Sequence, residues 1–112
     1  MLVLAPEAFY ATCARALAPE GVLVVNLWGS DRSYAENLRR IEGAFEGQVV
    51  CVPALQKGNI IVLGFKRSPA ELRWDELRER AGALEVRYGL EFPRFVEVLR
   101  RLNPHTDRRL LI

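Results

Sequence analysis

The chain has 112 residues, of which 50% are hydrophobic and 27% are charged. This composition is typical of a soluble globular protein of one domain, and it excludes a disordered or low-complexity chain. The formal net charge of +2 is too small to indicate a nucleic-acid partner. The longest apolar run, residues 21–28, is too short to span a bilayer, so we expect no membrane contact.

The two cysteines and the single histidine do not indicate a catalytic or metal site. Cys13 and Cys51 fall in a predicted helix and a predicted strand, which favours buried free thiols of a cytoplasmic protein over a disulfide or a reactive thiol. The single histidine, His105, has no Cys or His at ligand spacing. It also leaves no Ser/His/Asp or Cys/His arrangement, so we predict no catalytic residue and no metal ligand.

The first half of the chain predicts two helices and three strands. Pro6, followed by apolar residues at four-residue spacing, predicts a helix over 6–18. The β-branched run 22–28 predicts a central strand covered by helices on both sides. Residues 48–53 and 59–66 predict two further strands, and the short loop between them favours an antiparallel hairpin.

The second helix has more than one possible start. Ser33 and Glu36 have capping-box spacing, while Ser30 or Asp31 is an alternative N-cap. Gly47 predicts its C-terminal stop.

The last third of the chain predicts two helices. The motif 68–71 (Ser-Pro-Ala-Glu) predicts the start of a third helix, which ends at Gly89. Apolar residues at 4-3-4 spacing within it suit a helix packed on a sheet, or a coiled coil as the alternative. A fourth helix begins at Pro93 and stops at Asn103-Pro104.

The order of elements is therefore helix, strand, helix, strand, strand, helix, helix, an α/β pattern with an antiparallel hairpin. We expect a single domain over residues 1–112. Three strands enclose little core, and an apolar strand such as 22–28 needs a neighbour on each side. The chain is thus expected to be part of a larger sheet.

Two segments resemble a known family. Phe9-Tyr10 with residues 17–26 (LAPEGVLVVN), and residues 58–65 (GNIIVLGF), resemble the entry to the fifth strand and the reversed seventh strand of the spermidine synthase-like (polyamine aminopropyltransferase) proteins. These belong to the class I S-adenosylmethionine-dependent methyltransferase superfamily. The likeness covers residues 5–67 well and the rest loosely. It implies the C-terminal half of a Rossmann-like domain, with strand order 22–28, 59–66, 48–53.

The resemblance implies a transferase whose cofactor site lies elsewhere. The family's cofactor is S-adenosylmethionine or its decarboxylated form, held by a Gly-rich turn, and its catalytic Asp follows the fourth strand. The eight glycines here include no Gly-x-Gly pair. We therefore expect no cofactor-binding residue in these 112 residues, and a fragment that is inactive alone.

The resemblance also places candidate substrate-binding residues after strand 22–28. Asn26 and Trp28 stand where polyamine-making members have a Gln and a Glu. Ser30 and Asp31 cluster with Tyr34 at the following turn, where ligands bind in open α/β sheets, although helix capping by Ser30 and Asp31 and packing of Tyr34 are the favoured explanation. The predicted substrate-binding set is Asn26, Trp28, Ser30 and Asp31.

The loop before the reversed strand departs from the family pattern. The family's pocket-lining Tyr is replaced by Leu55, and Lys57 adds a positive charge where a polyamine would approach. Together with Trp28 in place of a carboxylate, these changes argue against putrescine or another diamine as the acceptor.

Two alternatives give the same strands another use. One is a stand-alone module that forms a homodimer by antiparallel pairing along 22–28. The other is one half of a split transferase, in which a second chain supplies the cofactor half.

Overall fold

The computed structural model describes residues 6–53, 58–68 and 71–112. It is a mixed α/β structure that divides into two compact units, Met1–Ser68 and Pro69–Ile112. The single domain expected over 1–112 stays a prediction.

The first unit contains a three-stranded sheet and two helices. Its sheet has the order β1-β3-β2, and both strand pairs are antiparallel, so the order and the hairpin are as predicted. In chain order its elements are α1 (Pro6–Ala16), β1 (Val22–Trp28), α2 (Tyr34–Ala44), β2 (Val49–Pro53) and β3 (Asn59–Phe65).

The strand β1 is covered on one face, and the expectation that helices cover both faces is wrong. Burial alternates along it, and Val24 and Trp28 are 62% and 59% exposed. The helices α1 and α2 both contribute to one core, with Leu23, Val25 and Leu27 packed against it. An apolar run does not distinguish an edge strand from a central one, because β-branched residues suit both.

The core of this unit forms where α2 crosses β3. Its buried side chains come from both helices and two strands: Tyr10, Ile41, Phe45, Val49, Cys51 and Val62. A Cβ on Gly64 would lie 2.8 Å from Cδ2 of Phe45, so the absence of a side chain there lets the ring lie on the strand. The close approach fixes the height of α2 above the sheet.

The C-terminal end of α1 is tied to the residue after β3. The Nζ of Lys66 donates hydrogen bonds to the carbonyl oxygens of Arg15 (3.0 Å) and Leu17 (2.6 Å). A cation at this position satisfies carbonyls that the helix leaves unpaired and complements its dipole. The link holds α1 against the sheet.

The start of α2 uses Asp31 and not the capping box. Ser33 has helical backbone angles and makes no side-chain capping bond, while Glu36 pairs with Arg40 at 2.6 Å. The Oδ1 of Asp31 accepts a hydrogen bond from the Ser33 backbone N–H at 3.3 Å. Gly47 lies in the turn after the helix with φ +79°, which accounts for the predicted stop.

The second unit pairs two helices with a short two-stranded sheet. Trp74 is 1% exposed, and its Nε1 donates to the Thr106 carbonyl at 2.8 Å. The elements are β4 (Leu72–Arg73), α3 (Trp74–Tyr88), α4 (Phe92–Leu102) and β5 (Arg109–Leu110), with β4 and β5 antiparallel.

The predicted start of the third helix is wrong. Pro69 and Ala70 lie outside the described residues. The helix begins later than predicted, because Leu72–Arg73 is a strand and Arg73 is the N-cap. Pairing with β5 prevails over the local capping signal, and β5 itself is too short to leave a pattern. The end at Gly89 (φ +68°) and the stop at Asn103 are as predicted.

We predict that Gly64→Ala destabilises the first unit by about 1–3 kcal/mol, because the new methyl group forces Phe45 out of its place. Gly43→Ala is the matched control. It lies within α2 with nothing within 4 Å of its Cβ position, and it should stabilise by up to about 1 kcal/mol. Urea unfolding measures both; equal midpoints for the two variants would contradict the packing described.

Candidate functional site

The end of β1 presents polar side chains on the uncovered face of the sheet. Asn26 and Trp28 are both exposed there, two residues apart on β1. Their partners on β3 are Ile61 and Asn59 respectively, and residues directly opposite in an antiparallel pair share a face. We call this region, defined by Asn26, Trp28 and Asn59, the open end of the sheet.

The turn after β1 continues from the open end. Gly29 donates from its backbone N–H to the Gly58 carbonyl at 2.7 Å, which extends the β1–β3 ladder by one step. Ser30 and Asp31 are exposed in this turn, and the Asp31 N–H donates to the Trp28 carbonyl at 3.1 Å. The four predicted substrate-binding residues thus follow one another at one end of the sheet, and their role stays a prediction.

Tyr34 does not join this group through its hydroxyl. The pKa of the Tyr34 hydroxyl is raised, first by burial and then by the neighbouring Cys51. Burial likewise raises the pKa of the Cys51 thiol. The Tyr34 hydroxyl therefore lies beside Cys51 of β2.

Asn59 is the residue at the open end that the sequence analysis missed. It is 7% exposed, and its Oδ1 is buried with no hydrogen-bond donor in the described parts of the chain. Its polar side chain at the first position of a strand, straight after Gly58, was the available signal. Burial of that side chain could not be predicted from the sequence.

Further expectations from the sequence concern the cysteines, metal ligands and membrane spans. No disulfide joins Cys13, which is half-buried, and Cys51, which is buried. Within residues 6–53, 58–68 and 71–112, no three His, Cys, Asp or Glu side chains converge as metal ligands. Over the same residues, no helix combines the length and apolarity that a membrane span requires. Leu55 and Lys57 lie outside the described residues.

The open end carries side-chain amides and an indole. The amides of Asn26 and Asn59 offer oxygens that accept hydrogen bonds, and the indole face of Trp28 attracts cations. Of the predicted site residues, only Asp31 has a titratable carboxylate, and one of its oxygens already accepts the Ser33 N–H. The arrangement suits a ligand with N–H donors and a positive charge.

Comparison with known proteins identifies relatives of the chain. It is 44% identical over 109 residues to a polyamine aminopropyltransferase of Chromobacterium violaceum, across 97% of this chain and 42% of that protein. It is 37% identical over 105 residues to polyamine aminopropyltransferases of Neisseria meningitidis serogroups A and B, across 94% of this chain and 40% of each. No family model and no solved structure matches.

The resemblance found in the sequence is therefore confirmed, and the matched region covers 94–97% of the chain. The chain spans about two fifths of the length of the curated relatives it matches. Such a match is consistent with a C-terminal portion of a spermidine synthase-like protein.

Proposed function

We propose that this chain, a homologue of the polyamine aminopropyltransferases, forms the amine-acceptor side of such a transferase and is inactive alone. The observation that carries the proposal is the 44% identity over 97% of the chain, combined with coverage of only 42% of the relative. The three strands would then be one edge of a larger Rossmann-like sheet. The β1-β3-β2 order, with β3 reversed between the other two, supports this placement.

The residues at the open end support an acceptor role. Aminopropyl transfer would form a bond from the acceptor nitrogen to the aminopropyl carbon and break the bond from that carbon to the cofactor's sulfonium sulfur, which would leave as a neutral thioether. The nitrogen would also lose a proton, so the pocket must hold an amine and orient its N–H groups. Side-chain amides and an indole face do this without a formal charge. Since Trp28 stands where a carboxylate is expected, we propose an acceptor other than a simple diamine.

The turn after β1 does not fit the cofactor. A helix N-terminus binds an anionic ligand group through backbone N–H groups that the helix leaves free. Here the N–H groups of Asp31, Ser33 and Tyr34 already donate to Trp28 O, Asp31 Oδ1 and Asp31 O. We therefore propose that S-adenosylmethionine or its decarboxylated form is held by residues outside these 112.

A graft tests the proposal. The matched segment of the Chromobacterium violaceum relative is replaced by this chain, and aminopropyl transfer from decarboxylated S-adenosylmethionine is measured with a panel of amines. We expect transfer by the graft, and none by the relative without the segment or by this chain alone. Addition of this chain in trans to the truncated relative measures the split arrangement separately.

Two results would contradict the proposal. One is a folded graft that transfers to no amine in the panel. The other is micromolar binding of either cofactor form by the isolated chain, which would place the cofactor site within it.

A specific observation also supports the dimerising module. In the described part of the chain, β1 pairs only with β3, which leaves its other edge without a strand. An apolar edge strand is a template for pairing with another chain, and a two-fold antiparallel pair would give a six-stranded sheet. We predict a dimer in sedimentation at micromolar concentration if this is its function. A monomer would contradict the dimerising module and would not affect the acceptor-side proposal.

A further inference from the structure

Two adjoining cavities lie along the contact between α1 and α2 in the first unit. One has a volume of about 510 Å³ and the other of about 650 Å³. Both are lined by Ala11, Gly43 and Ala44, so they form one continuous depression, which we call the α1–α2 groove. Among the described residues, this groove shares no lining residue with the open end of the sheet.

The middle of the α1–α2 groove is lined by residues with small side chains. Ala11 and Ala14 are half-buried on α1, and Gly43 is exposed on α2. Apart from the backbone of its own helix, nothing lies within 4 Å of the Cβ position of Gly43. Packed helices lie about 8–10 Å apart, and small side chains at the contact allow the closest approach. The groove therefore has room for a further helix.

The charges of α1 are arranged symmetrically about Ala11. Glu7 lies four residues before Ala11 and Arg15 lies four residues after it, so all three are on one side of the helix. The two charged residues are about 12 Å apart along the helix axis. A second α1 that crosses Ala11 in the antiparallel direction would bring Glu7 of each chain opposite Arg15 of the other. Each contact then occurs twice, as a two-fold symmetric interface requires.

Both charged groups are available to a second chain. The Glu7 side chain is 80% exposed, and its Oε1 lies 4.0 Å from Arg40 Nε, which is too far for a hydrogen bond. Arg15 is exposed, and it donates from Nη2 to Thr12 Oγ1 at 3.2 Å, which leaves further N–H donors on its guanidinium. Lys66 lines the groove together with Arg15 and adds a second positive charge there.

We propose that the α1–α2 groove binds the α1 helix of a second copy of this chain, antiparallel across Ala11, with two reciprocal Glu7–Arg15 ion pairs. Exposed ion pairs contribute little affinity by themselves. The small residues allow close packing, and the charges set the direction in which the second helix lies. This interface uses no strand edge, so it differs from pairing along β1, and it does not depend on the proposed transferase function.

Sedimentation velocity of the 112-residue chain and of two charge-reversal variants tests the proposal. We expect the native chain to dimerise at micromolar concentration, and less strongly as the salt concentration rises. Glu7→Arg places like charges opposite each other at both contacts, and Arg15→Glu does the same with the opposite sign. Each variant alone should have a dimer Kd at least about tenfold higher than that of the native chain.

An equimolar mixture of the two variants separates the interface from a folding defect. One chain then carries two basic residues at these positions and the other carries two acidic ones, so both contacts between unlike chains are attractive. We expect the mixture to form a heterodimer, which partial unfolding of α1 in either variant could not produce. Glu42→Arg makes the same charge change on α2 outside the groove lining, and as the matched control it should leave the native dimer unchanged.

Three results would overturn the proposal: a native chain that stays monomeric, two single variants that dimerise like the native chain, or variants that do not associate when mixed. The second result would assign dimerisation to another surface, such as the edge of β1. If either charge variant does not fold, Ala11→Gln replaces it, because the cavities leave room for the longer side chain in the monomer. Ala11→Gln should prevent dimerisation, and a dimer of native affinity in that variant would also reject the interface.

Discussion

The first unit depends on the hydrogen bonding of β3 along both of its edges. Seven residue pairs join it to β1 and five join it to β2. One of its faces carries Val62 and Gly64 against the core, and Gly64 leaves room for the Phe45 ring. The other face carries Asn59 at the open end of the sheet. A slip of one residue in β3 would exchange the two faces, so the core and the open end are fixed together.

The order of the strands could be predicted from the sequence, and the coverage of the sheet could not. The short loop between β2 and β3 favours an antiparallel hairpin of these two strands. The likeness of residues 58–65 to a reversed strand places β3 beside β1. The two faces of β1 differ because both helices pack on one of them. No residue within Val22–Trp28 indicates in the sequence which face is covered. The start of α3 failed for a related reason, since the pairing of Leu72 with Leu110 spans 38 positions and overrides a local cap.

The candidate site shows the same division. Asn26, Trp28, Ser30 and Asp31 follow a strand directly, so their common position at one end of the sheet followed from the predicted strand itself. Asn59 is brought to the same place only by the β1–β3 register. Its buried and unpaired oxygen breaks the rule that buried polar groups are hydrogen-bonded, and such exceptions concentrate at functional positions.

The central claim is that the second edge of β1 pairs with a strand formed by residues outside this chain. The three strands then form the acceptor side of a larger transferase sheet. Amide hydrogen exchange along Val22–Trp28 tests it most directly. In the isolated chain at a dilution where it is monomeric, alternate β1 amides should exchange rapidly, because in the described part of the chain β1 is paired on one edge only. The amides of residues 60–65 in β3, which have partners on both sides, should be protected. In the grafted transferase every β1 amide should become protected. If the alternate β1 amides exchange as rapidly in the graft as in the isolated chain, no strand joins that edge and the account is wrong.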